Sequence, residues 1–134
     1  MGSNVPPNTG ILMPQEQLHQ LVVALFEKAD TSAEDAQLMA KLLVLTDLRG
    51  VHSHGTRKIP DYIDMIRQGR VNPRPKVTVM SETPTTRVYD GNGGLGHFPC
   101  YQGTLWAIKK AKEYGTAAIT TRNHFHFGGA GKYT

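Results

Sequence analysis

An α/β (α+β) chain, helical first and strand-bearing afterwards, is the fold class that the sequence predicts. Three observations predict it. Apolar residues recur at helical spacing through the first half, two short alternating segments follow with a turn between them, and an apolar segment comes after one more amphipathic stretch.

Residues 1–12 hold Gly, Ser, Asn and two prolines and read as a flexible leader. From Pro14, a residue favoured in a first helical turn, Leu18, Leu21, Val22, Leu25 and Phe26 form a stripe that predicts a helix packed on a core. Thr31 and Glu34 make a T-x-x-E capping box for a second helix, which runs through Met39, Leu42, Leu43 and Leu45 to about Arg49–Gly50. Its leucines lie on more than one face, so it is expected to be buried between neighbours. A third helix is expected over 54–68, with Pro60 in its first turn and Gly69 ending it.

Val71–Pro75 carries two prolines and reads as extended, closing an N-terminal helical part over 13–75. Lys76–Met80 and Thr85–Asp90 alternate as strands around a turn at Glu82–Pro84. A fourth helix is expected over 98–114, closed by Gly115, and Ala117–Thr121 reads as a buried strand. A strand followed by the glycine turn Gly128-Gly129-Ala130-Gly131 normally leads into another helix. The order therefore looks unfinished, and residues 76–134 are expected to be the beginning of a longer domain in a truncated chain.

Composition narrows the function classes. The chain has 134 residues, 39% of them hydrophobic and 19% charged, which suits a globular domain and neither disorder nor a coiled coil. No apolar run approaches the roughly 20 residues needed to span a bilayer, and no basic-then-apolar start marks a secretory signal. Cys100 is the only cysteine, which excludes an internal disulfide and fits a reducing, cytoplasmic setting. The net charge of +4 comes from scattered lysines and arginines without interleaved aromatic residues, so neither nucleic acid nor membrane is an expected partner. A mildly basic face suits a small anionic substrate.

Four local patterns could carry chemistry. Gly91-Asn-Gly93-Gly94-Leu-Gly96 matches G-x-G-x-x-G, but no acid stands at the end of a second strand to hold a ribose, and the match reads as a flexible turn. His52/His54 and His124/His126 are H-x-H pairs that could grip a metal on a strand. No third ligand sits at a suggestive spacing, so no metal site is expected. His19 and His97 have no supporting context and read as ordinary surface or interface residues.

Ser53 and His54 stand at the expected start of the third helix, with Lys58 and Tyr62 at i+4 and i+8 from the histidine. On one helix these share a face: an imidazole that titrates near neutrality, a cation and a phenol, a plausible seat for a carboxylate substrate. A serine there also reads as a simple cap, Lys58 as solvated and Tyr62 as core. Finally, Asn123 to Gly131 follows the last strand directly, at the end where α/β proteins place ligands, with glycines that let backbone N–H groups approach an anion.

Asp47-Leu-Arg-Gly50, Ser53-His54-Gly55, Pro60 with Tyr62, Asp90-Gly91 with Gly94-Leu-Gly96, and Arg122-Asn123 with His126-Phe127-Gly128 occur in one order and spacing. Together they resemble the malate/L-lactate dehydrogenases, the family that also holds ureidoglycolate dehydrogenase and the piperideine-carboxylate reductases. The resemblance covers about residues 14–134.

It implies a non-Rossmann fold: an N-terminal helical part, then a nicotinamide-binding domain on a largely antiparallel sheet, in a homodimer. The implied reaction is hydride transfer between NAD or NADP and C2 of a small 2-hydroxy or 2-oxo acid such as malate or lactate. It implies that Ser53 and His54 are a relay and proton donor, and that His126 is an alternative acid/base. It further implies that Lys58 and Tyr62 hold substrate, and that His126, Phe127, Gly128, Gly129 and Ala130 touch the cofactor. Lys58 stands where the family commonly has an arginine, exchanging a bidentate fork for a point charge. Two other functions remain open: an inactive fragment acting through its dimer surface, and a histidine-based metal-binding protein.

Overall fold

The computed structural model describes Asn4 and residues 11–133. The expected leader therefore lies outside the described residues, apart from Asn4, Ile11 and Leu12. The chain divides into two compact units, Met1–Arg74 and Pro75–Thr134.

The first unit is helical. α1 (Gln15–Lys28) begins after Pro14 and packs on α2 (Ala33–Leu48). The buried residues of α1 are Val22, Val23 and Phe26, while Leu21 and Leu25 of the expected stripe are exposed. The helix is thus rolled toward Val23, a position that pattern matching with leucines misses. α2 buries Ala36, Met39, Ala40, Leu42, Leu43, Val44 and Thr46, residues on several faces, as expected for a helix between neighbours.

Its cap lies one residue beyond the expected box. The Ser32 hydroxyl accepts from the Asp35 N–H at 3.2 Å and donates to the Asp35 carboxylate at 2.8 Å, while Thr31 is buried. Both registers satisfy the same four-residue pattern, and burial of Thr31 decides between them.

The expected third helix over 54–68 is three pieces. His52–His54 and Thr56–Lys58 are single 3₁₀ turns, and only Ile59–Arg67 (α3) is α-helical. Pro60 sits in the first turn of α3, where its missing N–H costs nothing. Ile59, Tyr62 and Ile63 are its buried residues.

The second unit orders β1 (Thr78–Glu82), β2 (Thr86–Asp90), α4 (His97–Tyr114) and β3 (Ala118–Arg122). The sheet order is β1-β2-β3. β1 and β2 pair antiparallel with a shift of register between Val79 and Ser81, and β2 and β3 pair parallel through the α4 crossover. Both strands of the hairpin begin one or two residues later than expected, and the turn lies at 83–85, held by the Thr83 and Thr86 hydroxyls 2.6 Å apart. β3 is not the buried strand expected from Ala117–Thr121: Ala118, Thr120 and Arg122 are exposed and Ile119 and Thr121 half-buried.

The glycine segment 91–96 is not the flexible turn expected of it. The backbone of 122–126 runs beside it and bonds to it four times: Gly91 N–H to Arg122 O (2.9 Å), Gly93 N–H to Asn123 O (2.9 Å), Phe125 N–H to Gly94 O (2.9 Å) and Gly96 N–H to His126 O (3.1 Å). A Cβ on Gly96 would stand 2.6 Å from Phe125 O and 2.8 Å from Phe127 Cβ. Close approach of two loops, rather than phosphate binding or flexibility, accounts for the glycine there.

Candidate functional site

In the first unit the candidate residues hang on the end of α2. One Asp47 carboxylate oxygen accepts from the Thr56 N–H at 2.9 Å and from the Thr56 hydroxyl at 2.5 Å, and the other lies 3.5 Å from His52 Nδ1. These bonds draw the 52–56 turn back onto the helix, which is why no α-helix starts at His54. Gly55 lies so close beneath Asp47 that a Cβ would stand 1.8 Å from its Oδ1. The Asp47 and Gly55 motif residues therefore shape the turn that presents Ser53 and His54.

Ser53 is buried, with its Oγ 2.7 Å from His54 Nδ1. The same Oγ lies 2.5 Å from Asn4 Oδ1, to which the Ser53 N–H also donates at 3.3 Å. Ser53 is therefore not the simple helix cap that its position suggests. His54 and Lys58 fall in separate 3₁₀ turns and Tyr62 in α3, so the expected single helical face of the three does not exist. Lys58 Nζ pairs with Asp61 at 2.9 Å. Tyr62 is core, and burial together with the Asp61 charge raises its phenol beyond the ordinary range, so it stays protonated.

In the second unit the candidate loop leaves β3 at Arg122. The Asp90 carboxylate accepts from Asn123 Nδ2 and from the Asn92 N–H, each at 2.8 Å, and Arg122 Nε lies 3.4 Å away. Those bonds, the Asn123 one foremost, hold the Asp90 carboxyl below its usual range. Asn123 itself takes a left-handed φ of 50°.

His124 is fixed from both sides. Its Nδ1 lies 2.7 Å from Phe125 O, an acceptor only, so Nδ1 carries hydrogen and Nε2 of the neutral ring accepts from Thr121 Oγ1 at 2.8 Å. Thr121 Oγ1 in turn lies 3.7 Å from Cys100 Sγ, and burial pushes that thiol above its usual pKa. The ring of His126 is exposed, and Phe127, 37% exposed, is braced by Tyr133, whose hydroxyl donates to Phe127 O at 2.8 Å.

Beneath this loop lie two residues that the sequence reading passed over or assigned to the surface. His97, the first residue of α4, is fully buried, its ring centroid 6.5 Å from that of His126. Burial, then the neighbouring Lys132 and His126, hold it neutral, well below the ordinary histidine range. Lys132 Nζ is buried with no hydrogen-bond partner among the described residues, and burial lowers it to about 8. Gly128, at φ 78°, lets the backbone pass close against both: a Cβ there would stand 2.5 Å from Lys132 Nζ and 2.7 Å from His97 Nε2. Only the position of Lys132 one residue past the glycine turn hinted at it.

A loop with an exposed aromatic, and beneath it a lysine whose buried Nζ has no hydrogen-bond partner among the described residues, can fit a nicotinamide cofactor. Among the described residues no three His, Cys, Asp or Glu side chains converge as metal ligands, and no helix is long and apolar enough to cross a membrane.

Residues 13–134 match the malate/L-lactate dehydrogenase family. A malate dehydrogenase from Pyrococcus horikoshii is 41% identical over 92% of this chain and 34% of its own length. An L-sulfolactate dehydrogenase from Methanocaldococcus jannaschii is 39% identical over 92% of this chain and 36% of its own. The solved structure of the Pyrococcus horikoshii malate dehydrogenase superposes with a TM-score of 0.86 at 41% identity, covering 92% of this chain and 35% of that one. The chain thus spans about a third of the length of these relatives.

Proposed function

This chain belongs to the malate/L-lactate dehydrogenase family, and from that premise we propose that it carries the acid/base and part of the cofactor contact of a 2-hydroxy acid dehydrogenase using NAD or NADP. The observation that carries the reading is the Ser53–His54 pair at 2.7 Å, held in a turn shaped by Asp47. A buried hydroxyl on one ring nitrogen fixes the imidazole, the group that would exchange a proton with substrate.

Oxidation of a 2-hydroxy acid removes a hydride from C2 and a proton from the C2 hydroxyl, leaving a 2-oxo acid. A bound nicotinamide supplies the hydride acceptor. His54 takes the proton, and Ser53 holds its ring against rotation. Lys58, now paired with Asp61, exchanges that carboxylate for the substrate's; both are partly exposed, so the exchange costs little. Tyr62, protonated and buried, would support the substrate site from the core behind them. Residues 126–130 would hold the nicotinamide, with the exposed His126 and Phe127 available to contact it. The homodimer and cytoplasmic setting of the reading belong to this proposal as well.

The test is titration of NADH and NADPH into the protein, followed by their fluorescence, alongside oxidation of malate, lactate and sulfolactate. Saturable binding that His126→Ala weakens at least about tenfold, and turnover that His54→Ala removes, are expected. Binding indifferent to His126→Ala would overturn the role of the 126–130 loop.

A further inference from the structure

We infer that Asn4 is a positioning residue that fixes which nitrogen of His54 carries the exchangeable proton. The inference deepens the proposed acid/base role of His54 and rests on it. It follows from counting donors. The Ser53 hydroxyl has one hydrogen and two close partners, Asn4 Oδ1 at 2.5 Å and His54 Nδ1 at 2.7 Å. The amide atom of Asn4 is its oxygen, because the Ser53 N–H points at it from 3.3 Å, and an amide oxygen only accepts. The single hydroxyl hydrogen therefore goes to Asn4. Ser53 Oγ can meet His54 only as an acceptor, and His54 Nδ1 must carry hydrogen whether the ring is neutral or charged. The proton that comes and goes does so at Nε2.

Without Asn4 the hydroxyl is released to donate to Nδ1. The neutral ring then takes the opposite tautomer, with hydrogen on Nε2 and the basic lone pair turned to Ser53, away from any substrate hydroxyl. Asn4 precedes the segment that matches the family, residues 13–134, and lies 49 residues from its partner in the chain. Ser53 and His54 come with the family match, whereas the choice between their two hydrogen-bonding directions comes from outside it.

Long-range ¹⁵N–¹H correlation of the imidazoles in ¹⁵N-histidine-labelled protein reads the tautomer directly, with His54→Gln assigning the signal among the six histidines. In the unsubstituted protein the neutral His54 ring is expected to show a protonated Nδ1 and an unprotonated Nε2. Asn4→Ala is expected to invert or mix that pattern, and Asn4→Asp, which keeps an acceptor, to restore it. In turnover, Asn4→Ala is expected to lower kcat about tenfold or more with KM unchanged, and Asn4→Asp to recover most of it. A protonated Nε2 in the neutral ring of the unsubstituted protein, or an unchanged tautomer in Asn4→Ala, overturns the inference. Full turnover in His54→Gln would instead overturn the acid/base assignment, and the tautomer spectra would still decide the role of Asn4.

Discussion

Gly55→Ala tests the idea that Asp47 builds the turn under His54. The added Cβ would stand 1.8 Å from Asp47 Oδ1 and 2.4 Å from its Cγ, less than any tolerable van der Waals contact. The carboxylate must swing away or the turn must move by more than an ångström. Either motion breaks the bonds from the Thr56 N–H and hydroxyl. Asp47 is 17% exposed, so water replaces those bonds poorly. Hydrogen bonds to a charged group contribute about 1.5–3 kcal/mol each, so the loss of two should reach about 3–6 kcal/mol.

Gly50→Ala is the control. Gly50 ends α2 at φ 75° with nothing within 4 Å of its would-be Cβ, so only the left-handed backbone penalty of about 1–2 kcal/mol applies. Urea denaturation followed by circular dichroism gives both values. The decisive measurement is Gly55→Ala placed in an Asp47→Ala background. With the carboxylate gone the clash is gone, and the second substitution should cost about 1 kcal/mol or less, a coupling of at least about 2 kcal/mol. A Gly55→Ala cost no larger than that of Gly50→Ala, or strictly additive costs, would refute the role given to Asp47.

Lys132 should leave a mark on stability against pH. Its folded-state pKa of about 8 lies below its ordinary 10.5, so between those values the unfolded chain binds the extra proton. Stability therefore rises with pH from about 8 to 10.5, by at most about 3 kcal/mol, and the burial penalty is fully present below 8. Lys132→Met should be more stable than the parent at pH 7 and should lack that rise, as urea midpoints across pH 7 to 10.5 would show. Ser32→Ala should cost about 1 kcal/mol through loss of the α2 cap, measured by thermal unfolding, and a neutral effect would return the cap to Thr31.

Helix existence was legible wherever apolar spacing ran without long-range interference. α1, α2 and α4 lie within a residue or two of their expected bounds, and Gly69 and Gly115 follow helices where predicted. Three of the failures share one cause, contacts made at a distance along the chain. Asp47 reaches nine residues forward to Thr56 and undoes the helix that spacing alone predicts from His54. The 122–126 backbone comes back onto 91–96 and turns an apparent flexible loop into a close-packed one. His97 looked like a surface or interface histidine because nothing beside it in the sequence explains its burial; Gly128 and Lys132, some 30 residues on, pack against it.

The same distinction sorts the motif residues. A helical face shared by His54, Lys58 and Tyr62 was an argument from spacing, and it disappears once the 3₁₀ turns replace the helix. The Ser53–His54 contact is an argument from adjacency, and it stands at 2.7 Å. Asp47, Gly55, Asp90 and Asn123 belong to the same matched motifs yet face the backbone and one another. In each unit an aspartate at the end of a regular element ties down the loop beyond it: Asp47 in the last turn of α2 and Asp90 as the last residue of β2. Substituting either aspartate should displace the histidine its loop presents while sparing the helix or strand behind it. Recurrence of a residue in a motif is therefore no guide to whether it touches substrate. The turn that a carboxylate holds in place needs its aspartate and its glycine as strictly as the chemistry needs its histidine.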